Sequence, residues 1–503
     1  MRIFSKSKII AFRQCPRRLW LEIHKPELRR DSSSAQARFK AGDRVGEIAR
    51  NLYDPRGQGT FIDIGELGIS RSLAKTRGLL EQNKPVFEAG FSAGGGLVFA
   101  DALLPVRRKG ARAWRMVEVK SAASVKGYHR DDAAIQAFVA RQAGVSLASI
   151  AVAHVDTSWV YPGMQDYQGL LREEDLTQEA FGRSGEVREW ISEAQVVAAK
   201  TRMPKACTGT QCSTPFECGF SAYCSSLEPQ AELSANVLPR VQTKALRALF
   251  AEQRTLELAD VADDLLNERQ LRVKTHTLAG TVFFDGDKSA LALSRYPLPA
   301  YFVDFETAQL AVPLWSGFKP YQQVPFQFSV HKLDRRGDLS HREFLDLSGD
   351  DPTRGFAEAL VKDCGKRGPV YVYNAAFERS RVRELAERYP DLANDLLAIN
   401  ERMVDLLRIT ETYYYHPDQL GSWSIKKVLP TVAPELRYDD LDGIQDGGMA
   451  MDAYQEAVDP ETPHDRKVQL RAQLRKYCAL DTFAMVRLWQ FFAGRNDLEL
   501  PLP

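Results

Sequence analysis

Two short runs, WRMVEVKSA and YFVDFETA, constrain this chain more than any other feature. Each is rich in apolar, aromatic and β-branched residues, as a strand buried in a sheet must be, yet each carries two charged residues spaced by two. In a strand that spacing sends both side chains to one face: Glu118 with Lys120 in the first run, Asp304 with Glu306 in the second. Buried charges are costly unless they are paired or hold a cation. The runs lie far apart in a chain of 503 residues, too long for one compact core, so each is expected in its own α/β module.

The surrounding pattern agrees. Residues 1–60 carry apolar positions at helical spacing, and from residue 86 the period changes. VFEAGFSAGGGLVFADALLPVRR and RAWRMVEVKSA read as strands, DDAAIQAFVARQAG as a helix and SIAVAHVDTSWVY as a further strand. A helical stretch over 167–203 leads into a cysteine-rich segment, and short helices fill 228–295. Pro297 and Pro299 open a second α/β module, with VPFQFSVHKL, HREFLDL and GPVYVYNAAF as strands and RKVQLRAQLRKYCALDTFAMVRLWQFF as a closing helix. The expected domains are 1–227, a helical connector over 228–295, and 296–503.

A net charge of +1 excludes a chain that binds nucleic acid as a whole polycation, so any basic groove must be local. No run approaches the roughly 20 apolar residues that span a bilayer, so no membrane partner is expected. The N-terminal apolar stretch is broken by Arg13 and Gln14, unlike a secretory signal, and a cytoplasmic location follows. In that reducing setting, clustered cysteines more often hold metal than form disulfides. Cys207, Cys212, Cys218 and Cys224 are separated by four, five and five residues, wider than the pairs of most zinc knuckles. Their spacing leaves zinc and an iron–sulfur cluster open.

Asp101 ends the strand-like segment before Glu118, where a hairpin would set the two carboxylates side by side. Such a pair suits Mg2+ or Mn2+, which lowers the pKa of a bound water and offsets charge on a phosphate. Lys120 would orient that water. In the second module, Tyr477 and Asp481 stand four apart on one face of the closing helix. They are candidates to join Asp304 and Glu306.

Asp101, then Glu118-Val119-Lys120, then a helix with Gln136 near Phe138 resembles the RecB-type branch of the PD-(D/E)XK nucleases. That resemblance implies a restriction-endonuclease-type core with metal on Asp101 and Glu118, and it matches Glu47 to an upstream ligand. An early cysteine with three late ones is similar to the iron–sulfur nucleases of that branch. It implies Cys15, Cys212, Cys218 and Cys224 around a 4Fe-4S cluster, with Cys207 spare. The D-x-E strand with a late Y-x3-D resembles the DEDDy exonucleases, whose domain is RNase H-like. It implies metal on Asp304, Glu306 and Asp481, with Tyr477 positioning water; Glu378, in YNAAFERSRV, stands where that family has Asp.

From KSKIIAFRQCPRRLW onward the chain resembles a bacterial family of unknown function that joins both modules. The implied activity is metal-dependent cleavage of DNA, from single-stranded ends, in repair or defence against foreign DNA. The alternatives are a nucleic-acid-binding component with one or both sites degenerate, and an RNA exonuclease acting through the C-terminal site. Aromatic residues in ETYYYHPDQLGSW either stack bases or fill a core.

Overall fold

The structure, a computed structural model, describes residues 2–31, 33–252 and 255–500, with 33–41 described by backbone alone. The chain is a mixed α/β protein that divides into two compact units, residues 1–228 with 310–322 and residues 229–309 with 323–503. Among the described residues, no helix is long and apolar enough to cross a membrane.

The first unit begins with β1 (Phe4–Ser5), α1 (Lys6–Gln14), α2 (Pro16–His24), α3 (Ser33–Tyr53), β2 (Thr60–Phe61) and α4 (Ile64–Leu80). Its sheet continues through β3 (Val86–Ala93), β4 (Gly96–Arg108) and β5 (Ala111–Lys120), then α5 (Gly127–Gln142), β6 (Leu147–Val155) and β7 (Leu171–Asp175). Helices α6 (Thr177–Gly182), α7 (Ser184–Ala199) and α8 (Ser221–Ser226) follow. The strand order is β2-β3-β4-β5-β6-β7, with β1 added in parallel to the start of β4. Strands β3, β4 and β5 form an antiparallel meander, and β6 then lies parallel to β5. A parallel neighbour needs a crossover, which α5 supplies. Its run of Ala133, Ala134, Ile135, Ala137, Phe138, Val139 and Ala140 is buried in the core with Met116, Ile150 and Val152. Small alanines let a helix lie close to a sheet.

The second unit opens with α9 (Lys244–Glu252), α10 (Glu268–Ala279), β8 (Phe283–Phe284) and α11 (Gly286–Leu293). Its main sheet is built from β9 (Ala300–Gln309), β10 (Gln323–Leu333), β11 (Leu339–Leu345), then α12 (Thr353–Cys364) and β12 (Val370–Val372). There follow α13 (Ala376–Arg388), α14 (Ala393–Glu401), β13 (Met403–Asp405), α15 (Leu406–Tyr413), β14 (Tyr414–Tyr415) and α16 (Ile425–Val432). The unit closes with α17 (Gly447–Val458) and α18 (His464–Phe492). The strand order is β11-β10-β9-β12-β13, antiparallel across the first three and parallel across the rest. Strand β9 is therefore central, buried by neighbours on both edges. Residues 229–295, a connector by pattern, contribute Leu246, Leu258, Val261 and Val273 to the core that holds Phe302, Tyr371 and Trp489. Residues 310–322, which sequence pattern groups with the second module, cluster with the first unit, where Ala311 and Val312 pack with Val45, Ile48, Val155 and Leu170.

Candidate functional site

In the first unit the meander pairs Ala102 with Val117, which sets Asp101 across from Glu118. Asp101 Oδ2 accepts the Val119 backbone N–H at 2.6 Å. Glu118 is 1% exposed, deep enough that its charge must be answered inside the protein. Its Oε1 accepts from Lys120 Nζ, and its Oε2 from Gln136 Nε2. The same lysine reaches Asp132 Oδ2 at 2.8 Å, and the same amide reaches Asp132 Oδ1 at 3.2 Å. Asp132 and Gln136 stand four apart on α5 and so share the face turned to the sheet. Lys6, the first residue of α1, adds an ammonium 2.6 Å from Glu118 Oε1 and 3.1 Å from Asp132 Oδ1. Sequence reading missed Lys6 and Asp132.

Burial opposes the charge on Asp132, but Lys120 and then Lys6 outweigh it and hold the carboxyl well below the usual carboxylate range. Burial likewise works against the Lys120 ammonium, yet Asp132, Glu118 and Asp101 push its pKa well up. Asp101 goes the other way: burial first, then the Glu118 charge, raises it well above an ordinary aspartate. Glu88, half-buried in β3 with φ +56°, faces the same field, and burial and Glu118 raise its carboxyl too. Lysine charge therefore falls short of carboxylate charge. Gln136 Oε1 is buried with no hydrogen-bond partner. An all-oxygen set with a carboxyl pushed up by its neighbours fits a hard divalent ion on Asp101 and Glu118. Glu47 is exposed on α3 and paired with Arg44 at 2.6 Å.

Helix α1 runs from Lys6 to Gln14 and stops at Cys15, where the backbone turns extended. Cys15, Cys212, Cys218 and Cys224 line one cavity together with Arg17 and Arg18. Gln14 Nε2 ties α1 to the cysteine loop by donating to Gln211 O at 2.6 Å and Phe216 O at 2.7 Å. The Cys218 and Cys224 thiols are pushed up by burial, with neighbouring cysteines adding to it. The Arg17 guanidinium lies beside Cys224 and favours its thiolate, against the effect of burial. Four cysteines around one cavity, with the Arg17 guanidinium beside Cys224, fit an anionic thiolate-bound centre. Cys207 borders the cavity but is exposed.

In the second unit Asp304 and Glu306 leave one face of β9, opposite Ser329 and Gln327 of β10. Helix α18 lies over these strands, Gln327 Nε2 donating to Leu474 O at 2.9 Å. It delivers Tyr477 and Asp481, 5% and 7% exposed, to the acidic face. It also delivers Cys478, whose sulfur and the carboxylates of Asp304 and Glu306 all lie within 4.8 Å of one another. Asp481 Oδ1 accepts from Tyr438 Oη at 2.5 Å. The Lys426 ammonium rests 5.2 Å from the Tyr438 ring centre and 5.3 Å from that of Tyr477, and donates to Gln445 O.

Every carboxyl in this group is displaced upward. Burial, then Asp481 and Glu306, raises Asp304 well above the ordinary range, and burial and Asp481 do the same to Glu306. Asp481 is pushed up to about 6 by burial, and the Tyr477 hydroxyl upward by burial and Asp481. Glu378, in the first turn of α13, is 3% exposed and pushed up to about 8 by burial. It adds to the charge felt by Asp304, and its Oε2 has no hydrogen-bond partner. Asn374, at φ +75°, turns the chain from β12 into α13, its N–H held by Asp405 Oδ1 at 3.0 Å. Asp405 also caps α15 through Leu407 N. The orphaned Glu378 oxygen and three carboxylates with raised pKa values fit one or more divalent ions. Tyr414, Tyr415 and Trp423 of the aromatic stretch are buried in the core, Trp423 Nε1 donating to Tyr414 O at 2.8 Å.

The segment that carries Asp304, Glu306 and Glu378 has counterparts in other proteins. Residues 301–424 match a family model described as a domain of unknown function, DUF2779. That match stops short of Tyr477 and Asp481, and no curated protein matches the chain.

Proposed function

We propose that this chain is a metal-dependent nuclease with two active sites, one in a RecB-like PD-(D/E)XK core and one in an RNase H-like, DEDDy-type unit. The observation that carries the reading is convergence. Each central acidic strand is met by side chains from a helix, Gln136 and Asp132 of the crossover helix α5 in one unit, Tyr477 and Asp481 of the closing helix α18 in the other. In the second unit, the central place of β9 between an antiparallel pair and two parallel strands supports the RNase H-like assignment.

A divalent ion on Asp101 and Glu118, or on Asp304, Glu306 and Asp481, would supply an activated water and offset charge on the scissile phosphate. The chain's own residues prepare for that. Gln136 fixes Oε2 of Glu118, leaving Oε1 toward the lysines. Lys120, on the same strand face, places its ammonium where a phosphate or an attacking water would need it. Tyr438 clamps Asp481, and Tyr477 turns its hydroxyl toward the three carboxylates. Cys15, Cys212, Cys218 and Cys224 would hold a 4Fe-4S cluster, or zinc, joining the end of α1 to α8 and the segment ahead of it as a staple. DNA is the favoured substrate.

One observation favours a second reading, in which the second unit binds nucleic acid without cutting it. Glu378, with a pKa near 8, keeps its proton at neutral pH unless a cation draws it off.

The test is degradation of end-labelled single-stranded DNA, and of RNA of the same sequence, by anaerobically purified full-length protein with Mn2+ or EDTA. Mn2+-dependent loss of the DNA is expected. Loss of RNA alone would replace DNA as the substrate, and binding without cleavage of either would retire the nuclease reading.

A further inference from the structure

Glu118 shares three partners, Lys6, Lys120 and Gln136, with Asp132. Lys120 and Lys6 both occupy Glu118 Oε1, and Gln136 occupies Oε2. Lys120 belongs to the same strand and has Asp132 as a second partner at 2.8 Å. Lys6 arrives from the N-terminal end of the chain by a separate route. Its neighbours Phe4 and Ser5 pair with Gly96 and Leu97 at the start of β4, and the Ser5 hydroxyl accepts from Lys8 N to start α1. The lysine is thus delivered by sheet pairing and a helix cap, a rigid mounting for a long side chain. Its own side chain is 24% exposed, so solvent reaches it while Glu118 stays sealed at 1%.

An ammonium and a divalent ion compete for the same lone pairs. We propose that Lys6 is a tethered cation that holds the metal-binding oxygen of Glu118 until a divalent ion displaces it, so that Lys6 sets the metal affinity of this site. Displaced, it stays within reach of Asp132, now 3.1 Å away. Lys6 is in this sense a positioning residue, acting through Glu118. The inference rests on the nuclease reading of Asp101 and Glu118.

The experiment measures Mn2+ affinity of the cluster-loaded full-length chain by electron paramagnetic resonance, in an Asp304→Ala background that silences the second site. Lys6→Met, which keeps the length and removes the charge, is expected to bind Mn2+ about tenfold more tightly than Lys6 protein, because one competing cation is gone. Glu118→Gln is expected to bind at least tenfold more weakly. Equal or weaker binding by Lys6→Met, with Glu118→Gln weakened, overturns the tethered cation and leaves the nuclease site standing. Unchanged binding in Glu118→Gln overturns the metal site itself. A second measurement needs no variant at Lys6. Acylation of Lys6 by an amine-reactive ester, followed by mass spectrometry, should speed up several-fold when Mn2+ is added. No change in that rate on Mn2+ addition contradicts the displacement.

Discussion

The first unit sets ammonium groups against its buried carboxylates, whereas the second leaves its carboxylates facing one another. Glu118 and Asp132 share Lys6 and Lys120 within hydrogen-bonding distance. Asp304, Glu306 and Asp481 have Lys426 as their nearest opposing charge, and its ammonium is engaged by Gln445 O and two tyrosine rings. The pKa directions follow. In the first unit Asp132 is held well down while Asp101 and Glu88 rise, whereas Asp304, Glu306, Asp481 and Glu378 all rise in the second. Without metal, the lysines of the first site offset part of its carboxylate charge, leaving Asp101 and Glu88 raised, and the second site is strained by repulsion that protons or cations relieve.

The sharpest way to break this comparison is to remove one carboxylate from each side. Glu118→Ala leaves Lys6 and Lys120 sharing Asp132 and should destabilise the metal-free first unit by about 1–3 kcal/mol. Asp304→Asn removes a repelling charge and should leave the metal-free second unit as stable or up to about 1 kcal/mol more so. Hydrogen exchange read over peptides of each unit in EDTA measures both, and equal destabilisation would erase the distinction.

Metal addition is of similar size. Mn2+ at about one hundred times its dissociation constant stabilises a folded site by roughly 2.7 kcal/mol. That protection should develop in the second unit at lower Mn2+ than in the first, where Lys6 must give way. The reverse order of protection would show that the lysines do not compete.

Acidity should produce a smaller and opposite pair of effects. Folded Glu378 holds its proton up to about pH 8 and folded Asp481 up to about pH 6. Unfolded carboxyls release theirs near pH 4, so between these values the folded second unit binds more protons. Its metal-free stability is full below pH 4 on this account and is lost as pH rises toward 8, by about 1 kcal/mol or more over the upper half of that range. Asp132, depressed in the folded state, stabilises the first unit above pH 4 and loses that contribution on stronger acidification. Denaturant midpoints from pH 5 to pH 8 in EDTA would show whether the two units diverge. Smallest of all, Glu47→Ala should cost under about 0.5 kcal/mol and leave cleavage unchanged, because its pair with Arg44 is exposed.

Local spacing explains which parts of these sites could be seen in the sequence. Glu118 with Lys120 and Asp304 with Glu306 are two apart on strands, and Tyr477 with Asp481 four apart on a helix, so period alone places each pair on one face. The α/β alternation was legible for the same reason. Lys6 was not, because its role depends on β1 pairing with the start of β4, a contact between residues about 90 apart. Asp132 carries a usable signal in its place four before Gln136, on the same helix face. Tyr438 and Lys426 meet Asp481 and Tyr477 only through tertiary packing. Tyr414, Tyr415 and Trp423, which sequence left open between base stacking and core, are buried in the core. Composition cannot separate those fates, since the same rings suit both.

Cleavage of end-labelled single-stranded DNA by Lys120→Ala, Asp304→Ala and the double variant, beside wild type in Mn2+, tests the two-site account most directly. Each single variant should lose part of the activity, and the double variant should lose it by at least about a hundredfold. A double variant that still cuts like wild type would contradict the account.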